Sequence, residues 1–362
     1  MSRFVTEAAK RNWDRLRRRV AMWRWDRPQV SSAAFEDRIV FVRWDAKLGD
    51  TIVLSWVFRE LQRQRPDLQI TVITAESFKE LFVQGYGIDS VFVAGKRHDW
   101  GKLSEIARQI RHPKYLVHLS LKWRPRDIRF VRELAPEHVV GLDDELKIVD
   151  IKLGERTRGL HFSQKLVPWL DQIGVDTARQ QYWIPRSPEA ARDVDVWWPK
   201  EAPKGTPKGR VIGLCPYGAS RKKYLDNEWI ERIVRTCLAQ SWQVVMLVLP
   251  SQLSGVQTLI QANHWQDCVW VNSGHASQNV LFEQIARCDA IVSVDTAVVH
   301  LAVGLGKPLL AIYNSRGQEF ENWHPNDPNA IVVRTVDSQD TTVNALEEAV
   351  LLESLARLIR TS

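Results

Sequence analysis

Residues 38–74 read RIVFVRWDAKLGDTIVLSWVFRELQRQRPDLQITVIT, and the reading of this stretch decides the fold. The apolar run from Ile39 to Val42 has the length and β-branched content of a buried strand. The loop from Asp45 to Thr51 (DAKLGDT) interrupts it, and from Thr51 to Arg65 apolar residues recur at helical spacing until Pro66 ends the pattern. A second apolar run, QITVIT, then occupies Gln69 to Thr74. Strand, loop, helix, turn and strand in this order make one β-α-β unit, whose crossover helix joins parallel strands.

The same alternation continues toward the C-terminus. Strands are expected at Ser90 to Val93, Tyr115 to Ser120 and Val139 to Leu142, with a helix-like stretch from Leu103 to Arg111. Between Arg186 and Arg210 the pattern breaks, because Pro188, Pro199, Pro203, Gly205, Pro207 and Gly209 crowd a charged segment. A second series follows: strand Val211 to Leu214, helix Asn227 to Ala239, strand Val244 to Leu249, helix Ser277 to Arg287, strand Ala290 to Val294 and strand Pro308 to Tyr313. The expected class is α/β, with two Rossmann-like domains built on parallel sheets. Their expected limits are a basic amphipathic segment at 1–30, a first domain at 31–187, a linker at 188–209 and a second domain at 210–340. An amphipathic helix at 341–362 is expected to pack back on the first domain.

Bulk composition narrows the function classes. A chain of 362 residues, 44% of them hydrophobic, can bury two cores. No apolar run reaches the ~18 residues that span a bilayer, and charges stand where a signal peptide needs its apolar stretch. The expected location is therefore the cytoplasm. The four cysteines (Cys215, Cys237, Cys268, Cys288) form no CxxC pair and have no histidine at metal-ligand spacing, so they read as reduced core thiols, with no metal site.

The net charge of +7 is unevenly placed: Met1 to Pro28 holds nine Lys or Arg against three acids. In that segment Trp13, Leu16, Val20 and Trp23 recur at helical spacing among Arg15, Arg17, Arg18, Arg19 and Arg24. Two readings fit: a basic amphipathic helix at an anionic membrane surface, or a helix that packs its Trp stripe on the rest of the protein. No nucleic-acid-binding motif accompanies the charge, so nucleic acid is not an expected partner.

Ligands of open α/β sheets bind beyond the carboxyl ends of the strands, which singles out three loops. In the first, Gly49 permits a tight turn and Asp50 is either a general base or a helix N-cap. The second, YGASRKKY from Tyr217 to Tyr224, sets Arg221, Lys222 and Lys223 before a helix, as a diphosphate cradle or as a solvated charge run. In the third, VDTAVVHL from Val294 to Leu301, Thr296 and the following helix N-terminus hold a phosphate oxygen, or else simply cap a helix with a core histidine at His300. Neither domain has GxGxxG after its first strand, which disfavours a dehydrogenase.

Together the three loops resemble glycosyltransferase family 9, the bacterial heptosyltransferases, from about Ile39 to about Ser315. The resemblance rests on RWDAKLGD (Arg43, Gly49, Asp50), the Pro66-Asp67 turn before an ITV strand, the Gly218 to Lys223 loop and SVDTAVVHLA from Ser293 to Ala302. Ala297 stands where the family has glycine.

The resemblance implies a GT-B fold with two parallel sheets facing a cleft, and inversion at the anomeric carbon without a metal ion or other cofactor. It makes Asp50 the base for the acceptor hydroxyl, and Ser220, Arg221, Lys222 or Lys223, Asp295, Thr296, Ala297 and His300 the phosphate-binding set. The acidic residue with which the family contacts the nucleoside ribose is missing after the strand Val244 to Leu249, and Ser251 or Gln252 is the nearest substitute. The implied donor is a nucleotide sugar, ADP-heptose. The implied acceptor is a lipid-anchored lipopolysaccharide precursor of the Kdo–lipid A type at the inner membrane, held by the loop of Gly49 with Arg43, Lys47, Lys122, Arg124 and Arg126. Rival readings are a family-9 enzyme with another nucleotide sugar, a sugar-nucleotide epimerase of the same double fold, and a binding or scaffolding protein.

Overall fold

In the computed structural model, which describes residues 2–29, 34–45, 47–94, 100–199, 210–272, 277–314, 319–336 and 342–362 (backbone alone at 2–8, 10, 11 and 319), the chain forms two six-stranded sheets. The first contains β1 (Glu36–Arg43), β2 (Gln69–Thr74), β3 (Ser90–Val93), β4 (Pro113–His118), β5 (His138–Gly141) and β6 (Ile151–Lys152). The second contains β7 (Val211–Cys215), β8 (Gln243–Met246), β9 (Val269–Val271), β10 (Ala290–Val294), β11 (Leu309–Tyr313) and β12 (Ile331–Arg334). Every pairing is parallel, and the orders β3-β2-β1-β4-β5-β6 and β12-β11-β10-β7-β8-β9 are the same doubly wound pattern, the two-Rossmann-domain α/β class expected.

Helices α1 (Ser2–Trp25), α2 (Leu48–Val53), α3 (Ser55–Gln64), α4 (Trp100–Gln109), α5 (Pro125–Leu134) and α6 (Val167–Gln172) belong to the first half of the chain. Helices α7 (Pro188–Trp197), α8 (Asn227–Ala239), α9 (Leu253–Ala262), α10 (Gln278–Arg287), α11 (Ala297–Gly304), α12 (Glu319–Trp323) and α13 (Glu348–Thr361) belong to the second. Helices cover both faces of each sheet, so the inner strands read as continuous apolar runs: β7, β10 and β11 are buried throughout. Local sequence sets the helix starts. Asp226, Ser277 and Thr296 each accept a first-turn backbone N–H, a cap worth about 1 kcal/mol.

Two compact units result: Met1–Lys47 with Trp56–Gln180, and Leu48–Ser55 with Gln181–Ser362. The first core gathers Val40, Ile73, Leu116, Phe130 and Val139, and the second gathers Ile212, Val234, Val244, Val292 and Ile312.

Three expectations need correction. The single helix read from Thr51 to Arg65 is broken at Leu54 into α2 and α3. The Ser55 hydroxyl donates to the Ile52 carbonyl at 2.6 Å and accepts the Trp183 N–H at 2.7 Å, so a side chain competes for a helical carbonyl at the break. The break also ends the short excursion of residues 48–55 into the second unit.

The boundary at 187 lies instead at Gln180, and the first part of the expected linker is α7. Its Ala190 and Val194 pack on Val280 of α10, while the Arg186 guanidinium grips the buried Glu283 carboxylate. Residues 200–209 of that linker lie outside the described residues. Finally, α13 does not return to the first domain. Leu351, Leu355, Leu358 and Ile359 join the second core beside Ile230 and Val234 of α8, because its apolar stripe has a complementary face within its own unit.

Candidate functional site

The order of strands reverses between β7 and β10, and a cavity of about 340 Å³ opens in the second unit at the carboxyl ends of those strands. Tyr217, Gly218 and Ala219 line it after β7, and Leu247 to Pro250 after β8. Asn272 and Gln278 flank it after β9, Thr296, Ala297 and Val298 after β10, and Leu48 of α2 adds to its wall.

The loop after β7 is a closed turn. Gly218 N–H donates to the Lys223 carbonyl at 2.9 Å and Lys223 N–H to the Ser220 carbonyl at 2.9 Å, folding Arg221–Lys223 into one 3-10 turn. Gly218 is required by space: a Cβ there would lie 2.5 Å from Lys223 Cβ and 3.1 Å from the Lys223 carbonyl oxygen. Ser220, Arg221 and Lys222 are exposed at the tip. Lys223 turns inward, where its ammonium meets the Asp295 carboxylate at 2.5 Å. Two residues assigned separately to phosphate are thus joined to each other, and the ion pair ties the loop after β7 to the loop after β10.

After β10, the Thr296 hydroxyl accepts the Val298 N–H at 3.1 Å and lies 3.2 Å from the Ser293 hydroxyl, which fixes the first turn of α11 at the cavity wall. His300 is placed otherwise than a phosphate contact requires. It is 3% exposed and packed edge-on against Tyr182 and Trp323, and like Ser220, Arg221, Lys222, Lys223 and Asp295 it is not among the residues that line the cavity. Burial, with a smaller contribution from the charge of His324, pushes its pKa down to about 4, so the ring is neutral at ordinary pH. It supports the Gly49 loop: a Cβ on Gly49 would stand 3.3 Å from His300 Cδ2 and 3.6 Å from Ala297 Cα.

Asp50 is the third residue of α2, in its first turn. The N-cap reading therefore fails, although a carboxylate in the first turn still complements the helix dipole. The segment carrying Asp50 lies in the same unit as the cavity and packs on α11.

The cations assigned to the acceptor belong to the first unit, so Gly49, in the second, is not grouped with them. They flank the reversal between β1 and β4. Lys47, Lys122 and Arg124 are exposed, and Arg124 lies 3.3 Å from the Asp45 carboxylate. Arg126 is held by Asp45 and by Asp127 at 3.1 Å while its guanidinium lies over the Trp44 ring, and Arg43 is buried. These two are set in the structure of the site rather than offered broadly to a ligand.

Of the nucleoside candidates, Ser251 is exposed and not part of the cavity wall. Gln252 is part of it, but its amide accepts the Leu249 N–H at 2.9 Å and donates to the Tyr224 hydroxyl at 3.1 Å. Asn272 was not singled out by the sequence, because β9 is only three residues long and the loop after it went unread, whereas Gln278 and Gln284 lie on the helix expected from Ser277 to Arg287, where nothing marked them as facing a cavity. For Asn272, a polar amide directly after a short apolar run was the available signal.

Residues 177–349 match the family model of glycosyltransferase family 9 (heptosyltransferase). The chain is 39% identical over 345 residues to the Escherichia coli (strain K12) protein named "Putative lipopolysaccharide heptosyltransferase 4", covering 91% of this chain and 89% of that one. Among solved structures, the glycosyltransferase family 9 protein of Veillonella parvula superposes with a TM-score of 0.73 at 18% identity, over 92% of this chain and 100% of its own. The ADP-heptose lipopolysaccharide heptosyltransferase II of E. coli superposes with a TM-score of 0.69 at 17% identity, over 90% and 99%. The fold of both halves is that of these GT-B enzymes.

Proposed function

The chain belongs to glycosyltransferase family 9, and from that premise we propose that it transfers heptose from ADP-heptose to the inner core of lipopolysaccharide, with inversion and without a metal ion. The observation that carries the reading is the assembly, in one unit, of the nucleotide-sized cavity, the Gly218 to Lys223 turn, the α11 N-terminus and the α2 segment with Asp50.

Heptose sits between the diphosphate and the acceptor. Asp50 takes the proton of the acceptor hydroxyl as its oxygen attacks the anomeric carbon, and the bond to the nucleoside diphosphate breaks on the opposite face. Negative charge then grows on the leaving phosphate. Arg221 and Lys222 at the exposed tip, Lys223, and the N-terminus of α11 behind Thr296 supply fixed positive potential where that charge develops. The acceptor is a Kdo–lipid A type molecule whose anionic groups meet Lys47, Lys122 and Arg124, and the enzyme works at the cytoplasmic face of the inner membrane. No described helix is long and apolar enough to cross a membrane.

The test is a transfer assay with ADP-heptose and heptose-deficient lipopolysaccharide in the presence of a chelator. A heptosylated product is expected, and free ADP without product, or a free isomerised donor, would contradict the reading. A different nucleotide sugar is the second reading, because no acidic side chain is among the described residues lining the cavity. Turnover of a UDP-sugar and not of ADP-heptose would establish it.

A further inference from the structure

Among its described side chains, helix α1 is fastened to the first unit by one face. Arg18 Nη2 reaches both carboxylate oxygens of the buried Asp143 at 3.0 and 2.9 Å, its Nη1 reaches Glu145 at 2.6 Å and its Nε donates to the Trp123 carbonyl at 3.2 Å. Ala21 is 1% exposed, and Asp26, just past the helix, accepts the Ile148 N–H at 2.8 Å. At about 100° per residue Arg18 lies opposite the middle of the stripe Trp13, Leu16, Val20 and Trp23, and Ala21 about a third of a turn from it. Those four side chains are 60%, 52%, 52% and 80% exposed. Packing of the Trp stripe on the protein is thereby overturned. Arg17 and Arg24 border the stripe on one side and Arg15 and Arg19 on the other, all exposed.

We propose that this face docks the protein on an anionic lipid bilayer, and that Arg18 fixes the acceptor loop relative to that surface. The occupant follows from the charge. Two indoles and two aliphatic side chains in one stripe, rimmed by arginines on both edges, match an interface with apolar chains below and anionic headgroups beside. A protein partner would need both an apolar groove and an acidic rim.

The second clause follows from where Arg18 ends. Asp143, which it grips, also accepts the Trp123 N–H at 2.7 Å, so α1 and β5's following loop clamp both polar groups of the Trp123 peptide unit's residue between Lys122 and Arg124. The exposed cations Lys122 and Arg124 are thus held at a set position relative to a helix lying flat on the membrane. The docking clause stands on α1 alone, and the clause on the acceptor rests on the lipopolysaccharide reading given above.

Vesicle flotation of the full chain tests the docking, with phosphatidylcholine vesicles carrying or lacking phosphatidylglycerol. The protein is expected to float with the anionic vesicles only, and Trp13→Ser with Trp23→Ser to lower that binding by more than about tenfold without changing ADP affinity or the thermal midpoint. Unchanged flotation of the double variant, or equal binding to neutral vesicles, would overturn the proposal. So would a wild-type protein that stays off both vesicles and is a dimer which the variant converts to monomer, since the stripe would then be covered by a second copy. Arg18→Ala is expected to raise KM for the lipid-anchored acceptor with kcat and donor KM little changed. An unaltered acceptor KM would remove the coupling while leaving the docking result to stand by itself.

Discussion

The Lys223 ammonium lies 2.5 Å from the Asp295 carboxylate, and through this contact the turn after β7 is held against the loop after β10. Both groups are partly exposed, at 28% and 19%, so the pair sets geometry more than stability. A diphosphate arriving at the cavity would share Lys223 with Asp295. Lys223→Met should therefore weaken ADP binding by about ten- to a hundredfold, the range of one charge-assisted hydrogen bond, with little change in thermal midpoint. Titration calorimetry of the variant checks it, and wild-type affinity would remove Lys223 from the phosphate site.

Gly218→Ala probes the shape of the same turn. The new Cβ would stand 2.5 Å from Lys223 Cβ, too close for the turn to persist unchanged. Overpacking of this kind costs about 1–3 kcal/mol, and ADP affinity should fall by about tenfold or more. A crystal structure of the variant with an undisturbed Arg221–Lys223 turn would show that the crowding is relieved elsewhere.

Asp50→Asn separates the base from the binding site. The substitution keeps the size of the side chain in the first turn of α2, so ADP binding and the unfolding midpoint should hold, while kcat should fall by about a hundredfold or more. Turnover at the wild-type rate would exclude Asp50 as the base.

His300 gives the fold a pH dependence. Its folded pKa is about 4 against 6.5 for the free side chain, so between these values the unfolded chain binds a proton that the folded chain does not. Stability is therefore full above about pH 6.5 and is lost as pH falls toward 4, by up to about 3 kcal/mol from this group. Denaturant unfolding across that interval should show a positive slope of stability with pH, shallower in His300→Phe. Identical slopes would place the titration elsewhere.

Much of this was legible in the sequence because parallel sheets write themselves as apolar runs. β2, β3 and β10 appear at the residues where QITVIT, SVFV and AIVSV predicted them. β6 and β9 went unread, being two and three residues long and too short for periodicity, and β12 went unread although its IVVR run is as long as the SVFV of β3. The loop residues Tyr217 to Lys223 and Thr296 were legible from small and charged residues between a strand and a helix. Their mutual pairing was not, since Lys223 and Asp295 are far apart in sequence and meet only through the β7–β10 neighbourhood. Nor was the excursion of residues 48–55 into the second unit, which depends on the break at Ser55 and its bond from Trp183. His300 stood open between a phosphate contact and a core histidine, because its spacing from Asp295 suits either, and its burial favours the core reading.

The most direct measurement is calorimetric titration of the purified chain with ADP, UDP and GDP in the presence of a chelator. Selective binding of ADP, weakened by Lys223→Met and retained by Asp50→Asn, is the result predicted for a metal-independent ADP-heptose transferase. Preference for UDP or GDP would contradict the assigned donor, and binding of none of the three would contradict the assignment of the cavity between β7 and β10 as the nucleotide site.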